Sequence, residues 1–229
     1  MRRPEHNGGV RVLYVCTANI CRSPSAEALL QAAGIAQVQS AGVAAVHGAP
    51  CCSLAPLLAG VDHRSQPLTA PLVRSADIVL TAAREHQSAV LALDPDARAK
   101  TFTIRQAGRL AQWLLDEGIV EAARMRATAP DGWAQRFEPG DPRQYVMPLP
   151  APPERAAWLV AELDAARGFA PAPPTAPRRR RRDPEPPHPD DVPDPHAVGA
   201  QWHEPAAEQI TAASAPLIEV LRQVGRPVG

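Results

Sequence analysis

Aromatic residues make up only 4% of this 229-residue chain, so its core must be built from valine, leucine, isoleucine and alanine. No apolar run approaches the roughly 18 residues that a membrane-spanning helix needs. The formal net charge is zero, which gives no electrostatic reason to expect nucleic acid or an anionic membrane as a partner. Because residues 1–9 are polar and too few for a secretion signal, we expect a cytoplasmic protein.

Cysteine is also scarce, with only Cys16, Cys21, Cys51 and Cys52. A small secreted disulfide scaffold would normally contain more. No pair has CxxC spacing and no histidine cluster completes a ligand set near them, so the sequence does not predict a zinc site. We expect reduced thiols, at least one of which is reactive.

The first half of the chain alternates short apolar segments with helical patterns. The predicted strands are 10–15, 36–41, 77–80 and 101–104, and the predicted helices are 24–33, 50–59, 82–93 and 105–117. Pro24 suits the first helical position, and Gly34 suits the end of that helix. The alternation predicts an α/β fold whose parallel sheet has helices on both faces.

Much of the total of 27 prolines falls in the second half of the chain. Residues 129–153 and 170–189 have compositions that favour disordered or extended chain over a packed core. Amphipathic helices are predicted at 154–167 and 202–224. We therefore predict one domain in two parts, 1–119 and 190–229, separated by an insertion at 120–189 that is helical and then rich in Pro and Arg. Its arginine run at 178–182 fits a solvated linker, and the insertion could bind a protein partner.

The loop after the first predicted strand has the sequence Cys16-Thr-Ala-Asn-Ile-Cys-Arg-Ser23. A tight loop that leads into a helix turns its backbone N–H groups inward, and these groups bind an anion. Arg22 can add two parallel hydrogen bonds to a phosphate, and the same field stabilises a thiolate at Cys16. The loop therefore predicts a phosphate site with a cysteine nucleophile.

A cysteine six residues before an arginine is common by chance, and a lone free cysteine is usually a small buried apolar residue. Here the apolar strand before the loop, the Ser-Pro pair after it and the following helix all favour the functional interpretation. A Walker-type nucleotide loop is excluded in this stretch, because its glycine and lysine are absent.

The segment from Cys16 to Pro24 resembles the signature of the low-molecular-weight protein tyrosine phosphatase family. The likeness covers roughly residues 10–115 and 190–225. It includes Ser40-Ala-Gly42, Gly60-Val-Asp-His-Arg-Ser65, Ala76-Asp-Ile-Val-Leu80 and Val192-Pro-Asp-Pro195. The resemblance implies a four-stranded parallel sheet, no metal or organic cofactor, and hydrolysis of a phosphorylated protein or a small phosphomonoester.

The resemblance also implies three catalytic roles. Cys16 would form a phosphocysteine, Arg22 would bind the phosphate and stabilise the transition state, and Asp194 would act first as general acid and then as base. Asp-Pro pairs also occur at Asp141 and Asp183. Asp194 is preferred because a predicted helix follows it, as in the family.

The remaining roles concern the loop and its support. Ser23 would donate to the Cys16 sulfur, and Asn19 would hold the loop with help from Ser40 and His63. The resemblance further implies that Cys21 can form a reversible disulfide with Cys16. The other phosphate-loop residues are Thr17, Ala18 and Ile20. A surface turn is an equal alternative for His63, and Cys51 and Cys52 are expected to have no chemical role.

We expect protein phosphotyrosine as the substrate, with alternatives that the departures from the family leave open. Val46 and His196 stand where the family usually has aromatic residues around phosphotyrosine, and Ile20 stands where the arginine-phosphatase branch has threonine. One alternative is an arsenate reductase that uses a small thiol; residues 80–93 lack the extra cysteines of thioredoxin-coupled reductases. A second alternative is a non-catalytic domain that binds a phosphorylated ligand.

Overall fold

A four-stranded parallel sheet lies at the centre of the molecule, in the order β2 (Ala36–Gly42), β1 (Val10–Cys16), β3 (Ile78–Thr81) and β4 (Thr101–Thr103). The computed structural model describes residues 9–129, 131–173 and 187–227. Tyr14 in β1 is level with Ser40 in β2 and with Leu80 in β3. Because the strands are parallel, their carboxyl ends lie along one edge of the sheet, where open α/β folds usually bind ligands.

The α-helices of the described residues are α1 (Arg22–Ala33), α2 (Ala70–Ser75), α3 (Arg84–Leu93), α4 (Ile104–Asp116), α5 (Ile119–Thr128), α6 (Arg155–Ala166), α7 (Pro195–Val198) and α8 (His203–Gly225). Short 3₁₀ turns occur at Pro56–Leu58, Pro95–Lys100, Ala134–Arg136, Pro142–Tyr145, Pro152–Glu154 and Ala200–Trp202. No helix of the described residues is both long enough and apolar enough to cross a membrane.

Side chains of β1 point alternately to the two faces of the sheet. Val12 and Tyr14 pack in a large core with side chains of α1, α4, α5, α6 and α8. Leu13 and Val15 pack on the opposite face with Val73 of α2 and Val90 of α3. Helices thus cover both faces of the sheet, and the predicted α/β fold with helices on both faces is confirmed.

Three local predictions need correction. Helix α1 begins at Arg22, so Pro24 is its third residue; the first turn tolerates proline because its N–H groups have no partner within the helix. Gly34 ends the helix as predicted, with φ of 66°. The predicted helix at 50–59 is wrong, because only Pro56–Leu58 form a 3₁₀ turn and the chain before it makes tertiary contacts. Helices α2 and α5 were not predicted.

The described part of the insertion extends the main core. The predicted helix at 154–167 is present as α6, with Trp158, Leu159 and Leu163 buried. We expected disordered or extended chain at 129–153. This was wrong, because the irregular segment buries Trp133, Val146 and Leu149 in that core. The indole N–H of Trp133 donates to the Arg143 carbonyl at 2.8 Å, which satisfies the polar atom of a buried aromatic side chain.

Much of the segment predicted to be extended at 170–189, including the arginine run at 178–182, lies outside the described residues. The chain returns through Val192, whose backbone N–H donates to the Ala82 carbonyl just after β3. This contact places the residues that follow at the carboxyl edge of the sheet. The predicted final helix is present as α8, which packs against α1 and α4.

Candidate active site

The loop between β1 and α1 is folded tightly against the end of β2. Asn19 has a φ of 56°, the one positive value outside glycine among the described residues. Gly42 lies behind the loop, where a Cβ atom would meet the Thr17 carbonyl oxygen at 2.6 Å and the Asn19 nitrogen at 2.8 Å. The loop shape therefore depends on a left-handed asparagine and on the absence of a side chain at residue 42.

Cys16 ends β1 with its sulfur inside this loop, and its residue surface is 3% exposed. The backbone N–H of Asn19 donates to Cys16 Sγ at 3.3 Å, and Ser23 Oγ lies 3.0 Å from the same sulfur. Ser23 Oγ also accepts a hydrogen bond from Asn19 Nδ2, so its own hydrogen can go either to the sulfur or to the more distant Ala41 carbonyl at 3.5 Å. The sulfur thus faces two donors, as a thiolate requires.

Asn19 connects the loop to its surroundings. Its Nδ2 group donates to both Ser23 and Ser40, and its Oδ1 accepts from the Gln66 backbone N–H at 2.9 Å. The backbone carbonyl of Asn19 lies 2.8 Å from His63 Nε2. The structure therefore brings Ser40 and His63 to the loop, in the contacts that the resemblance implied.

Behind these residues lies Glu27, which the sequence analysis did not single out. Ser40 Oγ donates to Glu27 Oε2 at 2.6 Å, and His63 Nδ1 lies 3.7 Å from the same oxygen. Burial raises the pKa of the Glu27 carboxyl, while the Ser40 hydroxyl and His63 act in the opposite direction. No local motif marks this glutamate, because its role depends on the position of α1 beside β2.

Arg22 begins α1, and its guanidinium is almost fully buried. Its Nη1 donates to the Val192 carbonyl, and its Nη2 donates to Thr17 Oγ1 at 3.0 Å and to Asp194 Oδ2 at 2.6 Å. Asp194 also caps α7, because its Oδ1 accepts the His196 N–H at 3.0 Å. The Asp-Pro pair that was preferred in the sequence therefore lies at the loop arginine, despite the long stretch of chain between them.

His86 is a further site residue that sequence reasoning missed. Its Nδ1 accepts the Ala83 N–H, so the neutral ring carries its hydrogen on Nε2, which lies 3.0 Å from Thr17 Oγ1. Burial, reinforced by the nearby Arg22 charge, lowers the pKa of His86 from 6.5 to about 4. Thr17 Oγ1 thus accepts from two donors, which leaves its own hydrogen free for a ligand in the loop.

The side of the loop that faces away from the Cys16 sulfur is less polar. The Ile20 carbonyl accepts the Cys52 N–H at 2.7 Å, and Ile20 packs against the buried cluster of Cys21, Ala55 and Leu58. Burial raises the pKa of Cys21 to about 12, and the neighbouring Cys52 and Cys16 act in the same direction. Ala18 lies between the two sides and is half-buried.

Two histidines that are distant in the sequence lie near two of the cysteines, which the sequence analysis did not anticipate. Ligand atoms of Cys21, Cys52, His196 and His203 all lie within 4.8 Å of one another. Both histidines come from the C-terminal segment, and only the tertiary fold brings them to the cysteines. The remaining cysteine, Cys51, makes a weak contact from its thiol to the Val61 carbonyl at 3.6 Å.

A parallel α/β fold, a cysteine at the end of its central strand and an arginine at the start of the following helix are the arrangement expected of a cysteine-based phosphatase. The sequence model described as low molecular weight phosphotyrosine protein phosphatase matches residues 11–111. The chain belongs to this family, whose members are phosphoric monoester hydrolases.

Two curated relatives illustrate the match. The probable low molecular weight protein-tyrosine-phosphatase EpsP of Ralstonia solanacearum is 34% identical over 140 residues, which cover 55% of this chain and 94% of the relative. The corresponding AmsI protein of Erwinia amylovora is 39% identical over 98 residues, which cover 40% of this chain and 68% of the relative. The YwlE arginine phosphatase from Geobacillus stearothermophilus aligns with a TM-score of 0.53 over 93% of each chain, at 21% identity, which supports the fold alone.

Proposed function

We propose that this protein hydrolyses phosphomonoesters through a phosphocysteine on Cys16, with protein phosphotyrosine as its substrate class. The observation that carries the proposal is the position of Cys16 Sγ, which receives the Asn19 N–H and faces the Ser23 hydroxyl inside a loop closed by Arg22. Such a loop both supports a thiolate and surrounds the equatorial oxygens of a transferring phosphoryl group.

In the first step the Cys16 sulfur attacks phosphorus, an S–P bond forms, and the bond from phosphorus to the ester oxygen breaks. The Arg22 guanidinium turns its donors from Asp194 to the phosphate oxygens, because a bidentate contact to a dianion is stronger than one to a single carboxylate. The Asp194 carboxyl, released from Arg22, is then placed to act as the general acid. That carboxyl gives its proton to the leaving oxygen.

In the second step water attacks phosphorus, and the Asp194 carboxylate accepts the water proton. The S–P bond breaks and inorganic phosphate is released. The sulfur leaves as a thiolate, which the Ser23 hydroxyl at 3.0 Å stabilises by a hydrogen bond. His86 and Arg22 hold the Thr17 hydroxyl in the orientation that can donate to the phosphate.

The rim of the site bears on the substrate. Val46 is 74% exposed, so it is not committed to the core and is available to a substrate side chain. The relatives' names do not decide between phosphotyrosine and phosphoarginine, because a protein-arginine-phosphatase of Geobacillus stearothermophilus is 38% identical over 104 residues, beside the tyrosine phosphatases EpsP and AmsI. Isoleucine at residue 20, where the arginine-phosphatase branch has threonine, favours phosphotyrosine. A panel of phosphotyrosine, phosphoserine and phosphoarginine peptides, together with arsenate and a reduced thiol, tests this choice; faster release of phosphate from another peptide, or arsenate-dependent thiol consumption, would refute it.

The role of Asp194 has its own test. Asp194→Ala should lower kcat by about 10²–10³-fold for a phenyl phosphate with a poor leaving group, and by much less for para-nitrophenyl phosphate, whose leaving oxygen needs little protonation. An equal loss for both esters would remove Asp194 as the general acid. Asp191→Ala is a matched control, because its carboxylate accepts from the Arg84 N–H instead of contacting Arg22.

A further inference from the structure

Four side chains that the proposed mechanism leaves without a chemical role converge beside the phosphate loop. They are Cys21, Cys52, His196 and His203, whose sulfur and ring-nitrogen ligand atoms all lie within 4.8 Å of one another. Two thiols and two imidazoles are the donor set that proteins use for tetrahedral zinc. In a tetrahedral zinc site such ligand atoms are about 3.3–3.8 Å apart, so modest side-chain rotations would bring these four into place.

The backbone holds these residues in position from several elements. Cys21 precedes α1, and Cys52 is attached to the loop through its N–H bond to the Ile20 carbonyl at 2.7 Å. His196 lies in α7 and His203 begins α8, with the two rings edge to face at a centroid distance of 5.1 Å. The four donors therefore come from separate segments that already meet at one point.

His203 is oriented as a metal ligand. Its Nδ1 lies 2.8 Å from the Ala200 carbonyl oxygen, which can only accept, so Nδ1 carries the hydrogen. The Nε2 lone pair then faces Cys52 Sγ at 3.3 Å. A backbone carbonyl that fixes the tautomer and direction of a histidine ring is the usual support behind a metal-bound imidazole.

We propose that Cys21, Cys52, His196 and His203 form a binding site for a divalent transition metal, with zinc as the preferred ion. Cys21 and His203 are buried, Cys52 is half-buried and His196 is exposed, so the cluster has a protein-lined interior and one side open to solvent. A metal would enter from the His196 side. This inference is independent of the proposed function, because it depends on none of the contacts of Cys16.

A bound metal would connect the start of α1, the chain around Cys52, α7 and α8. His196 is two residues after Asp194, and its N–H already bonds to the Asp194 carboxylate. The metal would therefore restrain the loop that carries Asp194 against the phosphate loop. The closing of such long loops by a metal stabilises the folded state, because binding free energy adds to folding free energy.

The test is titration of the full-length, chelator-treated and chemically reduced protein with cobalt(II), followed by competition with zinc. We expect one equivalent to bind, with the visible bands of tetrahedral cobalt and thiolate charge transfer, and we expect zinc to displace it and to raise the thermal unfolding midpoint. Cys52→Ser and His196→Ala should each weaken binding by at least about 100-fold. Because His196 is exposed, its variant should fold normally, which circular dichroism would verify.

Two cysteine variants serve as controls. Cys51→Ser removes the thiol next to Cys52, and Cys16→Ser removes the sulfur of the phosphate loop; both should keep the cobalt spectrum. A spectrum that disappears in Cys16→Ser would show that the metal binds the loop sulfur, and would overturn the proposal. Unchanged binding in Cys52→Ser and His196→Ala, or the absence of a thiolate band in the reduced wild type, would overturn it as well.

Discussion

Cys16 and Cys21 belong to one short loop, yet their sulfur atoms have opposite surroundings. Cys16 Sγ receives a backbone N–H and faces a serine hydroxyl, and the Arg22 guanidinium closes the same loop. Cys21 faces an apolar cluster and a second cysteine, and its pKa is raised to about 12. The hydrogen-bond donors therefore lie on the concave side of the loop, which favours an anion there and not at Cys21.

The same comparison explains why the two sides suit different chemistry. On the concave side, hydrogen-bond donors that point at one centre support a nucleophile and a phosphate. On the other side, sulfur and nitrogen lone pairs face one another, which suits a cation. A helix N-terminus alone does not decide this, because Cys21 directly precedes α1 and yet has a raised pKa.

The largest effect should come from exchanging sulfur for oxygen at the two positions. Cys16→Ser should lower turnover of para-nitrophenyl phosphate by about 10⁴-fold or more, the size typical when a nucleophile is removed. Cys21→Ser should cost no more than about tenfold, because its side chain is outside the concave surface. Steady-state kinetics would measure these losses of turnover, with Cys51→Ser as a third thiol control. Similar losses in Cys16→Ser and Cys21→Ser would contradict the difference between the two sulfur environments.

The concave side also depends on the close approach of Gly42. Gly42→Ala should destabilise the protein by about 2–3 kcal/mol and lower kcat at least tenfold, because the added Cβ would meet loop backbone at 2.6–2.9 Å. Gly34→Ala is the matched control: Gly34 has a φ of 66° with open space around it, so we expect a loss of about 1 kcal/mol and normal kcat. Urea unfolding and kinetics of the two variants separate these outcomes, and a normal kcat in Gly42→Ala would contradict this account of the loop.

A smaller effect should follow from His86, which is buried in its neutral form behind Thr17. Its pKa falls from 6.5 in the unfolded chain to about 4 in the folded protein, so its contribution to stability is complete above pH 6.5 and is lost as the pH falls toward 4. The loss should be on the order of 2 kcal/mol. The groups acting on His86 are Arg22, which lowers this pKa, and Asp191 and Asp194, which raise it.

The measurement is urea unfolding of the wild type and His86→Gln at pH 7 and pH 4.5. Because glutamine does not titrate, the wild type should lose more stability between these two pH values than the variant does. Equal losses in both proteins would mean that His86 is protonated in the folded state without cost.

The sequence allowed prediction of the concave side because its main residues are close together in the chain. An apolar strand, a five-residue loop and a helix with Gly34 at its end form one local unit, and its chemistry follows from local geometry. The supporting residues Glu27, Gln66 and His86 have no such local signal. Their contacts depend on how α1, the chain after β2 and α3 pack around the loop.

The other side of the loop could not be predicted for the same reason. The segment at 50–59 appeared helical by composition, but the Cys52 N–H bonds to the loop carbonyl of Ile20, and Pro50 forms a bridge with Arg64. His203 reaches Cys52 only because α8 packs beside α1. Likewise, the irregular chain around Trp133 is buried because α4, α5 and α6 provide a surface for it, which its proline content does not reveal.

The most direct test of the central claim is to locate the phosphoryl group during turnover. The Asp194→Ala variant should accumulate the covalent intermediate, because it lacks the base that activates water in the second step. After a rapid denaturing quench, peptide fragmentation by mass spectrometry should place one phosphoryl group on Cys16 and none on Cys21, although both lie in the same tryptic peptide. A phosphoryl group on any other residue, or its absence from Cys16 while para-nitrophenol is released in a burst, would contradict this account.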